Sequence, residues 1–529
     1  MNDLTANIAS LSLGNEPPTA TDIPTELWLH VLAHLDPRDL SAVALVSRVL
    51  QHPAQSLLFR SCVLKLVDPG RLRSILAFYT SPGIAPCVQE CTVLGCRHNV
   101  PADVAHICNM LPHFTNLRHL VFQYVRMTST TVAALTSKAL SALPSLSLVC
   151  CMTDFPAPPD GKTAIFHPKK FLLHNYGIPA FPDDARWFQI LRLEALQVLD
   201  LAQPYSTRFF VHELIKKPGI LFPVLEVLRL NVDGLVSVNR FDRILPAFPA
   251  LRILDFTPYH ASQTDPPKHA PITLHGDALP LLSSFYGPVI HAAKYCAGRA
   301  LLRHLSLYGD DRTGSCHAAQ LLPALPALAS VASGLTSLEL RIAFPVEDLT
   351  PVLFSSFPEL RSLRVTVPYY PWSPGLPNYP ELTDILRVLA LLALAPPAHL
   401  EVLYLAYRYG ARGKPWAEVL AQCAQMPPAI RELAQRSSPA LRRICVCCDL
   451  AFVTGDPDTF ARTIRERTLL WRWTRGDETV AESRVAGAEC IDGRKLNMEI
   501  RDPDFRAYTI GDALDEEWAE ATSTHRRGG

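Results

Sequence analysis

One short pattern of apolar and polar positions recurs along most of the chain. Each copy has an apolar residue, two others, an apolar residue, one other and a last apolar residue, as in the segment LEVLRL that begins at Leu225. Because side chains alternate along a strand, the fourth and sixth residues share one face and the fifth takes the other. The pattern predicts one short strand per copy, with a buried face and a polar face. Clear copies begin at Leu117, Leu196, Leu225, Leu251, Leu302, Leu335, Leu360, Leu400 and Leu441, and weaker copies at Phe59, Val88, Leu143, Phe171 and Leu281.

The segments between these copies have helical apolar spacing. Residues 184–196, 239–248 and 382–394 are predicted to be helices that cover the buried side of a parallel sheet. From Leu196 onward, successive copies are 21 to 41 residues apart when the weaker copy at Leu281 is counted. Steps of roughly 20 to 29 residues are typical of leucine-rich repeats, and this pattern resembles them. The longer steps indicate irregular units.

The fifth position of each copy is the predicted exposed position. If the strands are parallel and in register, these residues form a single column along the concave face of the sheet, which is the usual binding surface of a solenoid. Charges of both signs in this column suit a polar protein segment better than nucleic acid, although a merely solvated face is the alternative. The predicted substrate-binding residues are Asp200, Arg229, Asp255, Ser306, Glu339, Arg364 and Tyr404.

A different spacing marks residues 22–64. Leu27, Val31 and Leu35 form an apolar stripe that predicts a helix beginning near Pro24, with Asp22 as its cap. Asp36 and the following proline are predicted to end that helix and open a second one over about 38–50. Pro53 is expected to break the second helix and leave a short third helix over 54–59. Three helices of about forty residues in total bury too little apolar area to fold well alone, so the module needs a partner.

The order and spacing of apolar, proline and charged residues in this module resemble those of a known family. The order Ile-Pro-x-Glu-Leu, then Val-Leu, Leu-Asp-Pro-x-Asp-Leu and Ala-Leu-Val-Ser-Arg is similar to the F-box, the adaptor-binding module of cullin-RING ubiquitin ligases. The chain as a whole resembles the large fungal F-box families that carry irregular leucine-rich repeats. The family often has two tryptophans that are here replaced by Leu50 or its neighbour and by Phe59.

The resemblance implies a receptor function. The module would dock on a Skp-type adaptor, and through it on a cullin scaffold, while the repeats hold an unidentified protein substrate. An alternative is a repeat scaffold, outside ubiquitination, whose helices only cap the solenoid. The residues that match family positions, a mixture of adaptor contacts and module core, are Ile23, Pro24, Leu27, Leu32, Leu35, Leu40 and Val46.

The predicted fold class is α/β: a small N-terminal three-helix F-box followed by an irregular leucine-rich-repeat-like solenoid with a parallel sheet on its concave side. The predicted ranges are a disordered N-terminus at 1–21, the helical module at 22–64, the repeats at 65–450, a capping segment at 451–518 and a disordered tail at 519–529. Two insertions, 259–273 and the aromatic and proline-rich 369–380, interrupt the repeats, and the second is a candidate binding lip.

Composition narrows the function further. The 529 residues include 50 basic and 50 acidic side chains, which argues against a general electrostatic grip on nucleic acid or anionic lipid. The longest apolar run is about ten residues, well below the roughly twenty needed to span a bilayer. There is no secretory signal pattern, so we expect a cytoplasmic or nuclear protein.

The search for chemistry finds little. The chain has no GxSxG, GxxxxGK[ST], HExxH or GxGxxG motif. Cys445 and Cys448 lie in an apolar run, and Cys87 and Cys91 lie on or beside a predicted strand, so buried thiols are favoured over a metal site. We therefore expect a non-catalytic protein without cofactor or metal. An enzyme on an irregular α/β fold is a third, weakly supported hypothesis.

Overall fold

The fold is described from a computed structural model, in which the chain divides into two compact units. Unit 1 is Met1–Val238 and unit 2 is Asn239–Gly529. The structure describes residues 23–66, 69–95, 104–137, 140, 143–155, 166–174, 186–201, 204–217, 219–231, 241–257, 279–296, 299–309, 315–331, 334–342, 349–367, 382–394, 398–410, 421–454, 463–475 and 481–490.

Three helices begin unit 1: α1 is Thr25–Leu32, α2 is Pro37–Val46 and α3 is Arg48–Leu58. The Asp36 carboxylate caps α2 by accepting hydrogen bonds from the backbone N–H groups of residues 38 and 39, at 2.8 and 2.9 Å. The predicted start of α1 and the role of Asp36 are confirmed, whereas the cap at position 22 lies outside the described residues.

The predicted boundary between the second and third helices is wrong. The break falls at Ser47, which has an extended backbone and whose hydroxyl accepts a hydrogen bond from the Leu50 N–H to cap α3. Pro53 therefore lies inside α3 instead of ending a helix. The cap at Ser47, six residues before Pro53, sets the start of α3. Pro53 is accommodated about one and a half turns into this helix.

The remainder of unit 1 is a parallel sheet with helices between its strands. The sheet order is β1-β2-β3-β5-β7-β8-β9, and β4 and β6 form a separate parallel pair. The strands are β1 Ser61–Lys65, β2 Glu90–Leu94, β3 His119–Gln123, β4 Arg126–Thr128, β5 Ser145–Val149, β6 Met152–Asp154, β7 Lys170–His174, β8 Val198–Leu201 and β9 Val227–Asn231. The helices are α4 Pro69–Tyr79, α5 Ala105–Met110, α6 Ser129–Leu135, α7 Trp187–Ile190 and α8 Pro204–Lys216.

Unit 2 continues the same alternation. Its strands β10 to β16 are parallel neighbours in chain order, and β17 and β18 then add two antiparallel strands. The strands are β10 Ile253–Thr257, β11 Ser284–Pro288, β12 His304–Tyr308, β13 Ser337–Arg341, β14 Ser362–Val367, β15 Val402–Gly410, β16 Arg443–Thr454, β17 Thr463–Thr474 and β18 Ala481–Cys490. The helices are α9 Val289–Cys296, α10 Ala318–Val331, α11 Thr350–Ser356, α12 Leu382–Leu394 and α13 Met426–Arg436.

Each clear copy of the repeated pattern forms a strand that starts two residues after its first apolar position, as Leu225 precedes β9. The first, fourth and sixth residues are buried, for example Leu302, Leu305 and Leu307 at 0 to 1% exposure. Two weaker copies were predicted in the wrong frame. Phe171 is the fourth residue of its copy, and the copy predicted at position 281 begins one residue later, at Leu282.

The predicted helix over 382–394 is confirmed as α12, but two other predicted helices are wrong in type or length. Residues 239–248 hold a 3-10 helix, Phe241–Ala247, and the segment 184–196 is split into α7 and a 3-10 turn, Leu193–Ala195. The split occurs at Leu191, whose backbone is extended and forms a parallel bridge with Phe166. The spacing of apolar residues alone does not predict a bridge between residues that are distant in the chain.

The segment predicted to cap the array, 451–518, begins inside β16, and its described part consists of antiparallel strands. The insertions at 259–273 and 369–380 and the predicted disordered ends lie outside the described residues. None of the helices in the described part of the chain is long and apolar enough to cross a bilayer. The twelve cysteines whose side chains are described are buried free thiols, and no group of three or more potential metal ligands occurs among the described side chains.

The two faces of one strand give a matched stability test. Leu305 is fully buried, while its neighbour Ser306 is half-buried on the opposite face. We expect Leu305→Ala to cost about 2–5 kcal/mol of unfolding free energy, because it leaves a cavity in the core. Ser306→Ala should change stability by less than about 0.5 kcal/mol. Urea unfolding of both variants measures the difference, and equal destabilisation would contradict the assignment of the buried face.

Candidate protein-docking surfaces

The helical module has a small core. Leu32, Leu40 and Ala54 are its buried centre, with exposures of 2%, 6% and 0%. Helices α1 and α2 both pack on α3, which carries Ala54. The half-buried apolar side chains that pack on this centre are Leu35, Val43, Ala44, Leu57 and Leu58.

The same module exposes large apolar side chains. Val31 on α1 is 55% exposed, and around the junction of α2 and α3 Leu45 is 88% exposed, Val46 80% and Val49 40%. Isolated exposed apolar residues are ordinary, but several within one short helical module indicate an interaction surface. We call Val31, Leu45, Val46 and Val49 the apolar face of the module.

The structure separates the seven residues that match F-box family positions into core residues and accessible residues. Leu32 and Leu40 belong to the core, and Leu35 packs against it, so these three stabilise the module from within. Ile23 and Leu27 are half-buried, whereas Pro24 and Val46 are exposed. Of the apolar face, only Val46 was selected from the sequence. Leu45 and Val49 were missed because an apolar residue in an amphipathic run reads as core until the packing is known.

The module is anchored to the first repeat by aromatic contacts. Phe59, directly after α3, meets Phe78 and Tyr79 of α4 edge to face, with ring centroids 5.5 and 6.3 Å apart. Burial raises the pKa of the Tyr79 hydroxyl, and the nearby thiols of Cys62 and Cys91 raise it further. Tyr79 therefore stays neutral and contributes as a packing residue.

The second candidate surface is the polar face of the sheet. Within unit 1, Asp200 lies opposite Arg229 in register. Within unit 2, backbone pairing places the fifth-position residues opposite one another from strand to strand. This column, which we call the unit 2 column, runs Asp255, Tyr286, Ser306, Glu339, Arg364, Tyr404 and Cys445. Tyr286 was missed from the sequence because its copy was predicted one residue out of frame.

Asp200 is the most constrained residue of this face. It is 4% exposed, its Oδ1 lies 2.8 Å from His174 Nε2, and its Oδ2 lies 3.3 Å from an Arg229 guanidinium nitrogen. Burial acts to raise its pKa, but the hydrogen bond and electrostatic interaction with His174 and the charge of Arg229 outweigh burial, so the pKa of Asp200 is below its ordinary value. The charges of Asp200 and Arg229 are therefore used to join neighbouring strands.

The expectation that every fifth position is exposed needs correction at two residues. Asp200 is buried as described, and Tyr404, at 2% exposure, forms a buried cluster with Cys445 and Cys447. Strands in a sheet are only about 4.8 Å apart, so side chains on one face cover one another. Glu339 and Arg364 also pair, with Oε1 to Nε at 3.5 Å and 25% and 13% side-chain exposure.

The accessible part of the polar face is therefore smaller than the sequence indicated. In unit 2 the half-buried fifth-position residues Asp255, Tyr286 and Ser306 are adjacent along the column. Tyr286 also lies beside His304, with ring centroids 4.9 Å apart. In unit 1, Arg229 is the accessible member, with 44% side-chain exposure.

The Asp200 site gives a pH-dependent prediction. Asp200→Asn removes the carboxylate while keeping its shape, and we expect a loss of about 1–3 kcal/mol of unfolding free energy near neutral pH. Because the folded pKa is lowered, the stabilisation is present above the ordinary aspartate pKa of about 4 and is lost as the pH falls toward the folded pKa. Denaturant unfolding at several pH values measures the difference. A difference that grows on acidification would contradict the proposed pairing.

Comparison with known proteins now bears on the helical module. A family model described as F-box-like matches residues 20–65, which span α1, α2, α3 and β1. No curated protein matches the chain. The matched range includes the core of the module, all of its apolar face and β1, the strand of the first copy. The protein therefore carries an F-box-like domain at residues 20–65.

Proposed function

We propose that this protein is the substrate-recognition subunit of a cullin-RING ubiquitin ligase of the SCF type. F-box domains bind Skp-type adaptors in ubiquitin ligases, and F-box proteins are generally non-catalytic subunits. The observation that carries the proposal is the apolar face of the matched domain. The adaptor would occupy this face in the cytoplasm or the nucleus and connect the chain to a cullin.

Physical chemistry supports a partner on the apolar face. Fully burying a valine or leucine side chain stabilises by about 1.5–3 kcal/mol relative to exposure. Leu45 and Val46 are almost wholly exposed, so nearly all of that stabilisation is still to be gained. Their contribution to stability inside the module is correspondingly small, which indicates that they act in binding.

The second half of the proposal concerns the substrate. The repeats would hold a protein segment on the polar face of the sheet, where Asp255, Tyr286 and Ser306 are adjacent and accessible. Tyrosine is enriched among residues that dominate interface energies. The internal pairing of Glu339 with Arg364 and the burial of Tyr404 move the proposed contact away from β13, β14 and β15, toward β10, β11 and β12.

A scaffold outside ubiquitination is the second candidate. It is favoured by the contact of Phe59 with α4 and of α3 with the 3-10 turn Ala85–Cys87, because such packing is what a cap on the first repeat would do. A cap, however, needs a polar outer surface, and the exposed Leu45 and Val46 do not provide one.

Charge on the apolar face should abolish adaptor binding. We expect the double variant Leu45→Asp and Val46→Asp to weaken binding of a Skp-type adaptor by a factor of one hundred or more. Both new carboxylates would have to be buried at the interface without partners. The measurement is titration calorimetry with purified adaptor. The fold should be unchanged, because both side chains are exposed in the free protein.

The matched control for this variant is Leu394→Asp, which places a charge on an exposed apolar residue at the end of α12. It should bind adaptor like the unaltered chain. If the double variant also binds normally, the apolar face is not the adaptor site. If the unaltered chain binds no Skp-type adaptor, the receptor function is wrong and the scaffold function is favoured.

The substrate surface makes a separate prediction. We expect Tyr286→Ala to reduce recovery of proteins that copurify with the chain from proteasome-inhibited extract by about tenfold, while adaptor recovery and the melting curve stay unchanged. Ser355→Ala, on the helical side of unit 2, is the control. Unchanged recovery with Tyr286→Ala would remove the unit 2 column as the contact site.

A further inference from the structure

A second row of equivalent residues lies at the edge of the unit 2 sheet where the strands begin. These are the second-position residues of each copy, and each one after the first donates its backbone N–H to the carbonyl of its counterpart in the preceding strand at 2.7 to 3.0 Å. We call this row the edge ladder. Its members are Arg252, Ser283, Arg303, Thr336, Arg361, Glu401 and Arg442, and Arg475 extends it by donating to the Arg442 carbonyl.

Five of the eight residues of the edge ladder are arginines, and all five are exposed. Four of them directly precede β10, β12, β14 and β16, so they occur at every second strand. The intervening hydroxyls of Ser283 and Thr336 bind the backbone of the ladder, donating to the carbonyls of Arg252 and Arg303 at 3.2 and 3.3 Å. The hydroxyl residues therefore fasten the strands, and the arginines project between them.

Two of the five arginines have a structural role, because their side chains bind nearby backbone carbonyls. Arg303 donates to the carbonyls of Ala300 and Leu302, and Arg475 donates to the carbonyls of Ser438 and Leu441. These bonds satisfy backbone groups and explain those two arginines structurally.

The other three arginines are less well explained by folding. Arg361 and Arg442 share one carboxylate, Glu401, at 3.4 and 4.0 Å, and their side chains are 49% and 74% exposed. Arg252 makes no ion pair among the described residues. Glu401 is the one carboxylate among the eight residues of the edge ladder, against five arginines, so this row is positive although the whole chain is neutral.

The spacing of the arginines specifies the shape of an anionic partner. Adjacent strands lie about 4.8 Å apart, so arginines on alternate strands repeat every 9.6 Å or so. A polyproline II helix has three residues per turn and rises about 3.1 Å per residue, so every third side chain lies on one face at a repeat of about 9.3 Å. A β-strand does not match, because residues three apart point to opposite faces.

We infer that the edge ladder of unit 2 binds an acidic protein segment in the polyproline II conformation, with a carboxylate at every third residue. Guanidinium groups bind carboxylates in charge-assisted, often bidentate, hydrogen bonds. Single-stranded nucleic acid fits less well, because every nucleotide carries a phosphate, whereas the arginines occur on alternate strands only. This surface is separate from the apolar face and from the unit 2 column, and it goes beyond the proposed ligase function.

The test uses the full chain and a fluorescein-labelled peptide of four Glu-Pro-Pro repeats. Fluorescence anisotropy should show saturable binding that weakens with added salt. The double charge reversal Arg252→Glu and Arg442→Glu should weaken binding by at least about tenfold, whereas exchange of the same two residues for lysine should retain most of it. Both variants should keep the melting curve of the unaltered chain, since neither residue packs in the core.

Matched controls separate spacing from charge alone. Arg118→Glu with Lys169→Glu reverses two charges at equivalent second positions in unit 1, and it should leave peptide binding unchanged. A peptide of identical composition with its four glutamates adjacent should bind at least about tenfold more weakly, because its carboxylates reach fewer arginines.

The inference is overturned if the unaltered chain does not bind the repeat peptide, if the peptide with adjacent glutamates binds equally well, or if single-stranded DNA of equal charge binds more tightly than the peptide. Adaptor binding by the Arg252 and Arg442 variant should be normal in every case. Failure of this inference is therefore distinguishable from failure of the proposed function.

Discussion

The structure depends on parallel hydrogen bonding between equivalent residues of successive copies. The backbone groups at the second position bond from strand to strand, and the apolar first, fourth and sixth residues are thereby stacked into one continuous buried layer within each unit. A single copy has too few apolar residues to bury its face alone, so it is stable only between neighbours. The register also aligns every other position, which is why fifth-position and second-position residues form rows.

Alignment of this kind has a chemical consequence. Residues that are 20 to 40 positions apart in the chain become neighbours about 4.8 Å apart, so the identity of one position in each copy decides the charge of a whole row. At the fifth position, two carboxylates pair with arginines of the next strand, Asp200 with Arg229 and Glu339 with Arg364. At the second position of unit 2, arginine recurs with few carboxylates, and a net positive edge results. The same geometry thus neutralises one row and charges another.

The N-terminal module is stabilised in a different way from the sheet. Its three helices bury little, and three apolar side chains form the centre of its core. It is held to the first repeat by Phe59 and its aromatic neighbours, while Leu45 and Val46 face outward. An F-box-like domain with this division of residues is stabilised on one side by its own chain and, in the proposed function, on the other side by an adaptor.

The sequence by itself determined the strands of the clear copies, the helix over 382–394 and the presence of the F-box-like module. These are properties of local spacing: a period of two marks the strands, and a period near four with Asp36 and Pro37 marks the helices. Frame errors arose only where the pattern was weak, at Phe171 and Leu282.

Tertiary structure alone decided which residues are available for binding. Whether Tyr404 is covered, whether Arg364 is paired, and whether Leu45 faces solvent all depend on neighbours that are distant in the chain. The break at Leu191 likewise depends on a bridge to Phe166. The burial of a side chain and its ion pairs depend on all the residues that lie near it in space. The sequence pattern specifies only on which face of a strand or helix the residue lies.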